Sequence, residues 1–176
     1  MLLYANGDSH TAPDFGYVNI VAQELNCDLI NQAQSGSSNA SILRRTREYL
    51  EHTTPDFIII GWSTWEREEW YHNDRYYTVT ASGTNSVPKE LEHKYKQWVI
   101  EQTSDRWSEK SVEWHEYLYS FHLELEQKNI RHLFFNCMYD FLRKKQTYNW
   151  NNAYVEPYDK NQSFYWYLKN KGLRPD

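Results

Sequence analysis

Apolar positions along this chain alternate between short unbroken runs and longer stretches at helical spacing. Leu2–Asn6 is such a run and predicts a short buried strand. Phe15–Leu25 follows, with Tyr17, Ile20, Val21 and Leu25 at intervals that fit one face of a helix. Asp28–Asn31 predicts a second short strand. Ser37 or Ser38 caps the next helix, which turns Ile42, Leu43, Tyr49 and Leu50 to one face and Arg44, Arg45 and Arg47 outward. Thr53-Thr54-Pro55-Asp56 breaks that helix. Phe57–Gly61 is the clearest strand, apolar on both faces as a central parallel strand must be.

From residue 64 to about 106 no period is sustained. Asp74, Gly83, Asn85, Ser86 and Pro88 punctuate the stretch, which predicts an irregular, aromatic-rich insertion with a helix near Glu90–Ile100. The helical rhythm returns at Ser108–Lys128, where Trp114, Tyr117, Leu118, Phe121 and Leu125 form one stripe. Arg131–Cys137 predicts another apolar strand. A polar stretch rich in Tyr and Asn follows, then a short helix around Ser163–Lys169. Strands alternating with helices are the grammar of a parallel sheet covered on both faces. The expected architecture is therefore a single α/β domain over residues 1–176, a three-layer α/β/α sandwich with a central, mostly parallel sheet.

Composition narrows the function classes. The 176 residues carry a formal net charge of −5, which argues against nucleic acid as the main partner, since phosphate binding needs a basic footprint. No run reaches the length of a membrane span, and the N-terminus enters a strand-like segment without a basic leader. A soluble, cytoplasmic protein that contacts no membrane is the expectation. Cys27 and Cys137 lie in different predicted elements and read as buried free thiols. The 8 Trp, 15 Tyr and 7 Phe either pack the core and cover the insertion or form a platform that stacks on sugars; core packing is favoured.

Each parallel strand ends in a loop where ligands gather in open α/β folds. The loops here are Gly7–Thr11, Gln34–Asn39, Gly61–Thr64 and Asn136–Asp140. Ser9 sits at a strand end, where a hydroxyl and its own N–H fit acyl transfer. Gly36 allows close backbone approach, and the helix starting near Ser38 points its positive end at the same spot. Asn39 either adds a side-chain amide there or caps its own helix. Arg67, just past the third loop, either clamps an anionic substrate group or pairs with Glu66 and Glu68. His10, Trp62 and Trp65 complete the candidate substrate-binding residues.

Three of these loops match, in order, the first three blocks of the SGNH (GDSL-type) hydrolase family. Gly7-Asp8-Ser9 resembles the nucleophile block, and Gln34-Ser35-Gly36-Ser37-Ser38-Asn39 resembles the second block. Ile60-Gly61-Trp62-Ser63-Thr64 resembles the third, which usually reads Gly-x-Asn-Asp. The resemblance covers about the first 65 residues and implies a flavodoxin-like sandwich. It also implies ester hydrolysis through an acyl-enzyme on Ser9, with an acylated carbohydrate or another small ester as substrate. Asp8 would orient the turn, and Gly36, Asn39 and Ser63 would form the oxyanion hole. No metal or organic cofactor is implied, and the partner is a small-molecule or carbohydrate ester.

Two departures stand out. Ser63 occupies the place of the family's oxyanion-hole Asn. The family's C-terminal Asp-x-x-His is absent throughout, and no histidine follows His132. Without a base, serine is a poor nucleophile at neutral pH. Three accounts stay open. A chain cut short after Asp176 is favoured by its abrupt ending. A substitute base is the second, although His10 adjoins Ser9 and chain neighbours on a turn point apart. His72, His115 and His122 would serve only if their segments fold over the strand ends, and His115 and His122 are expected on solvated surface. The third account is a degenerate frame, a non-catalytic binding or structural domain. His72-Asn73-Asp74 reads as a turn in a polar loop rather than a metal fragment.

Overall fold

The structure is a computed structural model that describes residues 1–14, 16–82, 87–141 and 143–174. Phe15, the first residue of the expected first helix, and the breaks expected at Gly83, Asn85 and Ser86 lie outside the described residues.

The chain opens with strand β1 (Leu2–Asn6), helix α1 (Tyr17–Glu24), strand β2 (Asp28–Asn31), helix α2 (Asn39–Leu50) and strand β3 (Phe57–Trp62). Ser38 caps α2, its hydroxyl accepting the Ser41 N–H at 3.1 Å and satisfying one of the free donors of the first turn. Asn39, which also had a capping reading, is therefore free for another task.

The insertion is more regular than its sequence suggests. Strands β4 (Glu68–His72) and β5 (Arg75–Val79) form an antiparallel hairpin closed by Asn73-Asp74, with φ of +47° and +57°. Two left-handed residues in succession match the twist of the flanking strands, and Asn and Asp tolerate that conformation best after glycine. Helix α3 (Glu92–Ile100) then brings Trp98 against Trp70 and Val79 in a small core of its own. The polar turn at His72-Asn73-Asp74 thus closes a hairpin, which replaces the irregular excursion.

Helix α4 (Ser104–Gln127) starts four residues before the expected stripe because Thr103 caps it, accepting the Arg106 N–H at 3.2 Å. Strand β6 (Arg131–Asn136) and helix α5 (Phe164–Asn170) complete the strands and α-helices among the described residues, with short 3-10 turns at Lys89–Leu91 and Lys160–Gln162. The central sheet has the order β2-β1-β3-β6 with every pair parallel. Beyond β6, Phe134 donates its N–H to Ala153 O and accepts the Val155 N–H, both at 2.8 Å, so residues 153–155 pair with the outer edge of that strand.

Alternation along the strands sends side chains to two separate clusters. Tyr4, Ile58, Ile60, Trp62 and Phe134 pack with Ile42 of α2 and with Leu118, Phe121 and Leu125 of α4. Leu3 and Ile59 pack with Ala22 and Val21 of α1, together with Phe57 and Phe135. The molecule is thus a mixed α/β fold around a parallel sheet. No helix among the described residues is long and apolar enough to cross a membrane.

Two expectations about α4 fail. His115 and His122 are both fully buried, not solvated. The Tyr- and Asn-rich stretch folds back over the helix and supplies Phe141, Tyr148, Trp150 and Tyr158 as a roof above His115. His115 Nε2 lies 3.0 Å from Tyr158 OH, and His122 Nδ1 lies 2.8 Å from His132 Nε2.

Candidate active site

Because all four strands run the same way, their C-terminal ends leave the sheet along one edge. Backbone bonds tie the departing loops together. Gln34 donates its N–H to Gly7 O at 3.2 Å, and Cys137 donates its N–H to Trp62 O at 2.8 Å.

Ser9 crowns this edge. Thr11 and Ala12 both donate their N–H groups to Asp8 O at 3.0 Å, closing a turn that leaves Ser9 exposed. Among the described residues neither its hydroxyl nor its N–H has a hydrogen-bond partner. The Gly36 N–H is unpartnered in the same sense. Gly36 has φ +78°, and a Cβ built there would meet nothing within 4 Å. The left-handed backbone, not the close approach expected from sequence, is what calls for glycine at this position.

Asp8 is buried beneath the turn. Its Oδ1 accepts the His10 N–H at 3.0 Å and lies 3.0 Å from His10 Nδ1, while its Oδ2 makes no hydrogen bond and faces Arg67 Nη1 at 3.8 Å. Burial pushes the Asp8 carboxyl up, but the His10 contacts and the Arg67 charge outweigh it and hold the group below the usual carboxylate range. His10 is in turn braced by the ring of Phe164 at 5.7 Å. Its Nδ1 is committed to Asp8, and it shares no hydrogen bond with Ser9.

Arg67 joins three loops through one nitrogen. Nη1 donates to Ser63 Oγ at 2.8 Å and to Ser37 O at 3.3 Å, besides approaching Asp8. No ion pair with Glu66 or Glu68 forms; Glu68 pairs with Lys110 at 2.6 Å. Burial raises the Glu66 carboxyl.

The other sequence candidates fall differently. Asn39 is fully buried and directs both ends of its amide at the Ser63 backbone, which takes its carbonyl and one of its two N–H donors. The Ser63 hydroxyl is buried and accepts from Arg67. Trp62 is fully buried against Phe121 and Phe134 and cannot touch a ligand, a correction to its assignment as substrate-binding. Trp65 is 3% exposed, stacks on Phe141 and donates its indole N–H to Asp140 O at 3.0 Å. It borders a cavity of about 270 Å³ with Thr64, Trp107 and Tyr139 but is itself chiefly a packing residue.

Cys137, just past the end of β6, is the neighbour of Asp8 that sequence reasoning missed. Burial pushes its thiol well up, and the Asp8 carboxylate beside it adds to the shift. Its only signal in the sequence was a place in the fourth strand-end loop. Asp8, His10 and Cys137 bring one possible ligand atom each within 4.8 Å of one another. The Arg67 guanidinium against Asp8 Oδ2 sets a positive charge where a cation would bind, so this trio fits a metal poorly. None of His72, His115 or His122 shares a hydrogen bond with Ser9; the last two are sealed beneath aromatic rings.

What the edge offers is an exposed hydroxyl with unspent N–H donors on two adjoining loops, and a fixed guanidinium beside them. No protein-family model matches this sequence, and no curated protein matches it either.

Proposed function

We propose that the chain is a serine ester hydrolase of the SGNH type, built as a three-layer α/β/α sandwich, with Ser9 as its nucleophile. One observation carries the reading: Ser9 Oγ, Ser9 N–H and Gly36 N–H are all unpartnered, on loops held together by the Gln34–Gly7 bond. Unpaired donors beside an exposed nucleophile are what acyl transfer requires. The order of the three sequence blocks on adjacent strands β1, β2 and β3 supports the same reading.

In the proposed reaction Ser9 Oγ bonds to the carbonyl carbon as the C=O π pair moves onto oxygen. Collapse breaks the bond to the alcohol, which leaves with a proton while solvent takes the serine's. Water then attacks the acyl-serine, releasing the carboxylic acid and restoring Ser9. No imidazole is hydrogen-bonded to Ser9, so turnover is slow, of the class that donors and binding supply without a general base, ~10³–10⁴ over water. A small acyl ester, on a carbohydrate or otherwise, is the proposed substrate.

The absence of a paired base among the described residues favours a second reading, a binding module on the same frame. A panel of acetyl and short-chain aryl esters, assayed on the wild type and on Ser9→Ala, separates the two. Ser9-dependent turnover supports the hydrolase; equal rates for both proteins overturn it in favour of the binding module.

A further inference from the structure

We infer that the Arg67 guanidinium is an oxyanion donor of this edge, taking the place of the amide that Ser63 displaces; the inference rests on Ser9 being the acyl-transfer nucleophile. Four observations lead there. Arg67 Nη1 bonds Ser63 Oγ at 2.8 Å, the very residue that stands in the third block's donor position. The same nitrogen bonds the carbonyl of Ser37, next to Gly36, and lies 3.8 Å from the carboxylate of Asp8, next to Ser9. Arg67 is thus anchored to the chain neighbours of both groups proposed to meet the substrate carbonyl.

The third observation concerns what remains free. Nη1 spends its two hydrogens on Ser63 and Ser37, whereas Nε and Nη2 have no partner among the described residues. A guanidinium carries five N–H groups in a rigid fork, so three donors are unspent. The fourth is exposure: the side chain is 21% exposed, buried enough to be held and open enough to be reached. A donor fixed before the reaction costs no reorganisation when charge develops, and a charged donor is roughly twice as strong as a neutral one. Asp8 offsets part of the positive charge, so the fork does not bind bulk anions as a bare cation would.

The Ser63 hydroxyl therefore acts as a support for Arg67 and not as the third donor itself. An Asn in its place would present an amide directly; a serine is too short to do so and holds a longer side chain instead.

The test is the rate at which an alkyl fluorophosphonate labels Ser9, read by intact mass and peptide mapping. In that reaction the Ser9 Oγ–P bond forms, the P–F bond breaks, fluoride leaves with its electron pair and solvent takes the hydroxyl proton. The phosphonyl oxygen gains charge in the way an ester oxyanion does. Wild type should label at Ser9 and Ser9→Ala should not. Arg67→Gln should slow labelling by about 10²–10³-fold, the loss seen when one oxyanion donor is removed. Arg67→Lys keeps the charge beside Asp8 without the fork, and it should fall between the two. Ser63→Ala should slow labelling less than Arg67→Gln by loosening the fork. Melting curves confirm that each variant is folded; should Arg67→Gln fail to fold, Arg67→Lys and Ser63→Ala carry the comparison. Labelling of folded Arg67 variants at the wild-type rate overturns the inference and leaves Ser9 as nucleophile. A wild type that never labels at Ser9 overturns both.

Discussion

Asn39 and Ser63 exchange a complete pair of amide hydrogen bonds: the Asn39 side-chain carbonyl accepts the Ser63 N–H at 2.7 Å, and its NH₂ donates to Ser63 O at 3.3 Å. A side chain thereby does what a neighbouring strand would do, extending β3 by one residue and fastening the first turn of α2 to it. Asn39→Ala strips both partners from a buried backbone unit. Each group left unpaired costs roughly 1–3 kcal/mol, so chemical denaturation should show a loss of that size or up to twice it. A variant within about 0.5 kcal/mol of the wild type would falsify the clamp.

Ser9 stands at the opposite extreme. It is exposed and makes no side-chain hydrogen bond, so the fold owes it nothing. Ser9→Ala should leave stability within about 0.5 kcal/mol of the wild type while removing labelling and turnover. A large drop in melting temperature would reassign Ser9 to structure.

The buried His115 sets an acid dependence. Burial, with the Lys144 charge adding to it, lowers its imidazole from 6.5 to about 4. The unfolded chain then takes up a proton near pH 6.5 that the folded chain refuses until about pH 4, so stability is full above that window and lost as pH falls through it. The shift corresponds to about 3 kcal/mol. His115→Phe removes this titration, at the expense of the Tyr158 hydrogen bond. Its stability gap from the wild type should narrow by about 3 kcal/mol between pH 7 and pH 4, measured by urea unfolding at each pH. His122 and His132, also lowered by burial, retain their own share of the slope in both proteins.

Gly61 marks a second place where glycine is obligatory, here for space. A Cβ would stand 2.8 Å from Cys137 Sγ, 2.8 Å from the Phe135 ring and 2.9 Å from Thr11 Oγ1. Gly61→Ala should cost about 1–3 kcal/mol through overpacking. Adding Cys137→Ala should recover part of that loss in a double-mutant cycle, whereas strict additivity would show that the thiol is not the obstacle.

Elements held by local rules were readable in the chain. Leu2–Asn6 and Asp28–Asn31 are continuous runs with clear flanks, and both strands fall where the pattern places them. Ser38 was one of two serines offered as a cap, and the hydrogen bond to Ser41 chooses between them. The β4–β5 hairpin escaped because Asn73-Asp74 closes it without a glycine, although Arg75–Val79 is rich in strand-forming residues. His115 looked solvated because a helical stripe records only what its own helix offers; the rings covering it come from residues 26 to 43 positions later. In the site, local spacing brought out Ser9 and Gly36. The placement of Cys137 beside Asp8 depends on strand order, and Arg67 turns to Ser63, Ser37 and Asp8 on three separate loops rather than to its neighbouring glutamates. Neither is a local property.

The pairing of residues 153–155 with β6 has a consequence for how copies of this chain behave in a crowd. A sheet grows between molecules wherever a strand shows a free row of N–H and C=O groups. Here one rim of the sheet is bridged at Phe134 by the chain's own return, and the other is β2, four residues long and headed by the exposed Asp28. A foothold so short and so charged offers little purchase for accretion. A protein with 17% aromatic residues has much to gain from so little free edge, since the same rings that fill its interior would cement any stack that began there.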